Sequence, residues 1–94
     1  MALLNDDQIR DFLASKPGWE RQEETIVKTF EFGDFVEAMG FVTSVALHAE
    51  RAFHHPDIDV RWNKVTLRLS THSAGGLTEK DTELAEKIEE LTGG

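Results

Sequence analysis

No cysteine occurs among the 94 residues, which excludes a disulfide framework, a thiolate zinc site and a cysteine nucleophile. Proline is nearly as scarce. Its two copies, Pro17 and Pro56, each stand where a helical pattern stops. No apolar run approaches the ~20 residues of a membrane-spanning helix. Basic residues are few: 10 Lys and Arg face 18 Asp and Glu, a net charge of −8. They are also scattered from Arg10 to Lys87, so no basic patch offsets repulsion from a phosphate backbone or an anionic membrane. Direct nucleic-acid binding and membrane association are therefore not expected. The start, Met1-Ala-Leu-Leu-Asn-Asp-Asp, lacks the basic residues and apolar stretch of a signal peptide. With the missing cysteines, this points to the cytoplasm. Internal repeats, low-complexity segments and linkers are lacking too.

What is present suits one folded domain over residues 1–94. The chain is 39% hydrophobic and 30% charged, and a domain of this length buries about two-thirds of its unfolded surface. Asn5 caps a first helix, with Asp6 and Asp7 in its first turn and Gln8 at the capping-box position. Ile9, Phe12 and Leu13 form its buried stripe, and Lys16-Pro17-Gly18 stops it. Two strands are predicted next, Trp19–Arg21 and Thr25–Phe32. Ile26, Phe30 and Phe32 share one face, which Lys28 interrupts. Asp34 caps a second helix. Phe35, Ala38, Met39, Val42, Val45, Ala46, Ala49 and Phe53 recur on one stripe, Glu50 falls near its edge, and His48 lies opposite. Val36, Phe41 and Leu47 lie off the stripe as a possible second packing surface.

Pro56 closes that region, and a hairpin follows. An Asn63-Lys64 turn pairs Trp62 with Val65, Val60 with Leu67, and Ile58 with Leu69, placing all six on one face. Thr78, with Asp81 three residues on, caps a last helix whose buried stripe is Leu77, Leu84, Ile88 and Leu91. The order α-β-β-α-β-β-α predicts an α+β fold. It is an antiparallel four-stranded sheet with helices on one face.

Four histidines occur, His48, His54, His55 and His72. The last three stand at element boundaries, where small folds place functional groups. Imidazole is also the side chain whose ordinary titration suits proton transfer near neutrality. A lone histidine is most often a surface group in a turn. The adjacent pair before Pro56, flanked by Glu50 and Asp57, is a less ordinary pattern. A metal is a weaker reading, because no HExxH or His-x3-His spacing is present. Gly75-Gly76-Leu77-Thr78 is neither a P-loop nor a dinucleotide fingerprint, and no serine sits in an elbow motif.

Glu50-Arg-Ala-Phe-His54-His55-Pro56 matches an acidic-x3-His-His-Pro signature. Trp62 stands six residues after the proline, then come Leu69-Ser70-Thr71-His72, Gly75-Gly76-Leu77-Thr78 and Asp81. In these residues the chain resembles the pterin-4a-carbinolamine dehydratases, from about Gly18 through the last helix. One position departs: Phe53 is apolar where some members carry a polar residue.

The resemblance implies dehydration of 4a-hydroxytetrahydropterin (4a-hydroxytetrahydrobiopterin) to quinonoid dihydropterin, which recycles the tetrahydrobiopterin cofactor of aromatic amino-acid hydroxylases. It implies that His54 and His72 are the acid–base groups and that His55 holds the pterin and assists. Glu50 and Asp81 would support the imidazoles. Substrate contacts would come from the three histidines with Pro56, Thr71, Ser73 and Ala74. The three histidines would meet at one cleft, with Glu50 and Asp81 at its wall. No metal and no organic cofactor is implied, and a homodimer or homotetramer is. Some relatives use the scaffold without catalysis, as a dimerisation cofactor of a transcription factor or as an assembly factor for a carbon-fixing enzyme. That is the alternative reading.

Overall fold

The computed structural model describes residues 2–92. Helix α1 spans Asp6–Ser15. Its capping box is complete, with Asn5 Oδ1 accepting from the Gln8 N–H and Gln8 Oε1 from the Asn5 N–H, both at 2.8 Å. Strand β1 is Glu20–Gln22 and β2 is Thr25–Glu31. Helix α2 spans Phe35–Ala52 behind its cap, Asp34. Strands β3 (Asp57–Arg61) and β4 (Lys64–Leu69) precede a 3-10 turn at His72–Ala74, and α3 runs from Glu79 to Leu91. The sheet is antiparallel, in the order β1-β2-β4-β3. Ile26, Phe30, Val65, Leu67 and Leu69 point from one face into a core completed by Ile9, Ala38, Phe41, Val45, Ala49, Leu84 and Ile88. The expected element order and layering are present.

Several local expectations are corrected. Trp19 lies before β1, buried at 4% exposure, and its indole N–H donates to Glu89 Oε1 at 2.8 Å. Phe32 lies just past β2 and packs against the core from its edge. Lys28 does sit on the core-facing side of β2. Its ammonium reaches Glu89 Oε1 at 2.5 Å and the Pro17 carbonyl at 3.1 Å, and lies 4.8 Å from the Phe30 ring centroid. The charge is tolerated there because α3 supplies its counter-ion. Gly18 makes this possible: at φ 94 it takes a turn that a side chain resists, and a Cβ would stand 2.8 Å from Lys28 Cε.

The hairpin turn is Trp62-Asn63, not Asn63-Lys64. Val60 faces Val65 and Ile58 faces Leu67. The shift moves each strand partner by two residues, so the strand side chains keep their faces and face-matching alone cannot tell the two registers apart; Trp62, expected on that face opposite Val65, instead stands in the turn at φ 50, exposed. Asn63 decides between them: its side-chain amide donates to the Phe32 carbonyl at 2.8 Å, and its own carbonyl accepts from the Phe32 N–H at 2.9 Å.

Helix α2 is rotated from its predicted orientation. Ala38, Phe41, Val45 and Ala49 are buried, so Phe41 belongs to the core. Phe35, Met39, Ala46 and Phe53, expected on the stripe, are exposed. His48 is half-buried rather than opposite the core, and Glu50 is exposed. Apolar residues cover most of this helix's circumference, so periodicity alone leaves the buried direction open. Packing on α3 and β4 selects it.

Candidate active site

Two chain reversals deliver the imidazoles. Phe53 closes α2 in the left-handed conformation, and the His54 N–H then donates back to the Ala49 carbonyl at 3.1 Å. His54 is thereby turned inward, 8% exposed, while the next side chain, His55, stays 68% exposed. Beyond β4, Thr71 pairs with Gly76 as an isolated bridge, and the His72–Ala74 turn presents an exposed imidazole.

Asp81 is fully buried. It occupies the third position of α3, where a carboxylate meets unpaired N–H groups and the positive end of the helix dipole. Its Oδ2 accepts from the Thr78 N–H at 2.9 Å and from the Thr71 hydroxyl at 2.8 Å. Its Oδ1 stands 2.5 Å from His54 Nε2. The Thr71 and Thr78 hydroxyls are 2.8 Å apart. A buried carboxylate is costly unless its oxygens are satisfied, and this one has three donors. His55 has its own carboxylate, Glu50 Oε1 at 3.1 Å from Nε2, in an exposed pair.

The three histidines meet at an open cleft of about 280 Å³, whose wall includes Thr71 and Ser73. Pro56 and Ala74 do not line it. Neither do Glu50 and Asp81, which were expected at the wall. Asp81 is sealed behind His54, and Glu50 stands out on α2. Thr71 lines the cleft, but its hydroxyl is engaged with Asp81 and Thr78.

Three lining residues, Phe53, Ser70 and Lys80, were not singled out from the sequence as site residues. Their adjacency to His54, Thr71 and Asp81 was the available signal. A second cleft of about 460 Å³ between α2 and α3 shares His54 and Lys80 with the first and is where His48 and Arg51 lie. Among the described residues, no group of three His, Asp or Glu side chains is placed to hold a metal ion.

What this arrangement can do is move protons. Two imidazoles are oriented by carboxylates, a third is free to turn toward solvent, and hydroxyls and one ammonium stand beside them.

Comparison with known proteins places these residues in context. A family model described as pterin 4 alpha carbinolamine dehydratase matches residues 2–91. A Roseiflexus castenholzii protein with the provisional name pterin-4-alpha-carbinolamine dehydratase is 57% identical over 90 residues, 96% of this chain and 97% of that protein. A Thermomicrobium roseum protein with the same provisional name is 54% identical over 91 residues, 97% and 98% of the two chains. Among solved structures, a Brucella melitensis transcriptional coactivator/pterin dehydratase superposes with a TM-score of 0.92 at 35% identity, covering 96% and 98% of the chains. A pterin dehydratase-like RuBisCO assembly factor of the alpha-carboxysome superposes with a TM-score of 0.70 at 23% identity, covering 83% and 93%, a likeness of fold.

Proposed function

The chain belongs to the pterin-4a-carbinolamine dehydratase family, and from that premise we propose that it converts 4a-hydroxytetrahydropterin to quinonoid dihydropterin and water. The observation that carries the reading is the meeting of His54, His55 and His72 at one cleft, two of them held by carboxylates. In the reaction the bond from C4a to its hydroxyl oxygen breaks. The departing oxygen takes up a proton, and a ring nitrogen loses one as the double bond forms. One imidazole in its protonated form and one neutral imidazole perform both transfers, each typically worth 10²–10⁴ in rate.

His54 and His72 take these two roles. Asp81 accepts at His54 Nε2, which holds the ring in one orientation and leaves Nδ1 for exchange with substrate. His55, exposed beside Glu50, holds the pterin. Ser73 and the backbone of Thr71 to Ser73 supply polar contacts. By this activity the protein recycles the reduced pterin used by aromatic amino-acid hydroxylases. We place it in solution as a homodimer or homotetramer.

The test is the decay of 4a-hydroxytetrahydropterin followed with and without protein. Acceleration proportional to protein concentration is expected, and a rate equal to the buffer background overturns the reading.

The second reading is a non-enzymatic dimerisation cofactor or assembly factor. The exposed apolar side chains Val36, Met39 and Leu47 on α2 favour it. It leaves three converging histidines without a task.

A further inference from the structure

Phe53 is the cleft residue that the fold itself does not favour. It ends α2 at φ 54 and ψ 39, with its N–H donating to the Ala49 and Glu50 carbonyls. Glycine adopts that left-handed helix end without strain and asparagine tolerates it, whereas a bulky side chain is disfavoured there. Burial does not compensate. At 83% exposure Phe53 is more open than any other large apolar residue described. Trp62 shares a positive φ of 50 and 66% exposure, but it sits in the β3–β4 turn and does not line the cleft.

The chemistry of the cleft supplies the missing reason. Its other lining residues are three imidazoles, three hydroxyl side chains and one ammonium, so among the described residues Phe53 is its single apolar side chain. Imidazoles that exchange protons with a heterocycle must approach the oxygen and nitrogen atoms concerned. A flat ring system so engaged still has an apolar face to cover, and an exposed aromatic ring at the cleft's edge suits that face.

We propose that Phe53 is the stacking surface on which the flat, conjugated, nitrogen-rich half of a bicyclic ring rests while the histidines address its reacting atoms. This deepens the dehydratase reading and rests on it for the identity of the ring. It makes Phe53 a substrate-binding residue acting through its ring face, with no part in proton transfer.

The test compares Phe53→Asn, Phe53→Gly and Phe53→Trp with the unaltered protein. Five quantities are read: melting temperature, kcat and KM for 4a-hydroxytetrahydropterin, Kd for 7,8-dihydropterin by fluorescence titration, and sedimentation coefficient. Stacking on an aromatic ring has the strength seen for nucleic-acid bases, so the Asn and Gly variants should raise KM and Kd roughly 5- to 50-fold. Their kcat should change less than about 3-fold. Because they relieve the left-handed strain, they should also melt higher, by roughly 2–6 °C for a domain of this size. Phe53→Trp should keep Kd within about 3-fold of the unaltered protein.

Unchanged Kd in the Asn and Gly variants, with the unaltered protein fully active, overturns the stacking role and leaves the dehydratase reading standing. A lower sedimentation coefficient with unchanged Kd also overturns it, by assigning the ring to a subunit contact. If the unaltered protein binds 7,8-dihydropterin through Phe53 yet does not accelerate dehydration, the stacking role stands and the dehydratase reading falls.

Discussion

The two histidine–carboxylate pairs are alike in formula and opposite in setting. Asp81 is sealed from water and accepts from three groups, whereas Glu50 and His55 meet in solvent. Asp81→Ala should therefore cost about 2–4 kcal/mol in urea unfolding, because it strands buried donors that each carry a desolvation penalty. Glu50→Ala should stay within about 0.5 kcal/mol, as exposed pairs do. Equal effects would mean the burial contrast has no energetic meaning. In turnover, His54→Ala and His72→Ala should each lower kcat roughly 10²–10⁴-fold, while His55→Ala acts mainly on KM. Circular dichroism checks that the His54 variant, which loses a buried side chain, remains folded. Near-normal kcat in both single variants would refute the proton-transfer roles. The double variant should lose less than the product of the single losses, since groups acting as one unit are not additive.

Helix α2 shows where pattern stops deciding structure. Its buried residues, Ala38, Phe41, Val45 and Ala49, do follow the helical repeat. So do the exposed ones, because Phe35, Val36, Met39 and Leu47 occupy the other side. The caps were legible without any packing: Asn5 with Gln8, and Thr78 with Asp81, are local arrangements over four residues. Lys28 was legible only as an anomaly on β2, since its partner Glu89 lies 61 residues away on α3. Glu89→Ala should destabilise the domain by roughly 1–3 kcal/mol, because it leaves both the Lys28 ammonium and the Trp19 indole N–H short of an acceptor. Lys28→Met should cost less, since the smaller loss is paired with a well-packed apolar replacement. Chemical denaturation of the two variants checks that order. The Arg21 guanidinium beside Asp6, which ties α1 to β1, holds that exposed carboxyl below its ordinary range.

In the whole molecule, the outer face of α2 is apolar and exposed. Val36 is 77% exposed and Leu47 64%, a degree of apolar exposure that commonly marks association. Sedimentation at micromolar concentration should show a dimer or tetramer. Val36→Lys combined with Leu47→Lys should shift it to monomer if this face is the contact. A monomer for the unaltered protein contradicts the assembly proposal altogether. Catalysis is expected to survive chelation, because the histidine cleft is organised by hydrogen bonds to single carboxylates. Loss of turnover in EDTA with recovery on zinc addition would overturn the acid–base assignment. Among the described residues no helix is long and apolar enough to cross a membrane.

The sequence by itself determined what depends on neighbours: the helix caps, the α-β-β-α-β-β-α order, the alternation that gives β4 its buried face, and the motif residues at three element boundaries. These follow from hydrogen bonds and periodicities spanning a few positions. The tertiary structure decided the rest. It chose the buried direction of α2, because apolar residues surround that helix and only α3 and the sheet break the tie. It chose the hairpin register, because Asn63 reaches across to Phe32. It also joined His54 to Asp81 across 27 positions and brought His72 to the same cleft. Contacts between distant segments form only when a common core places them together, so their geometry cannot be written in any local pattern.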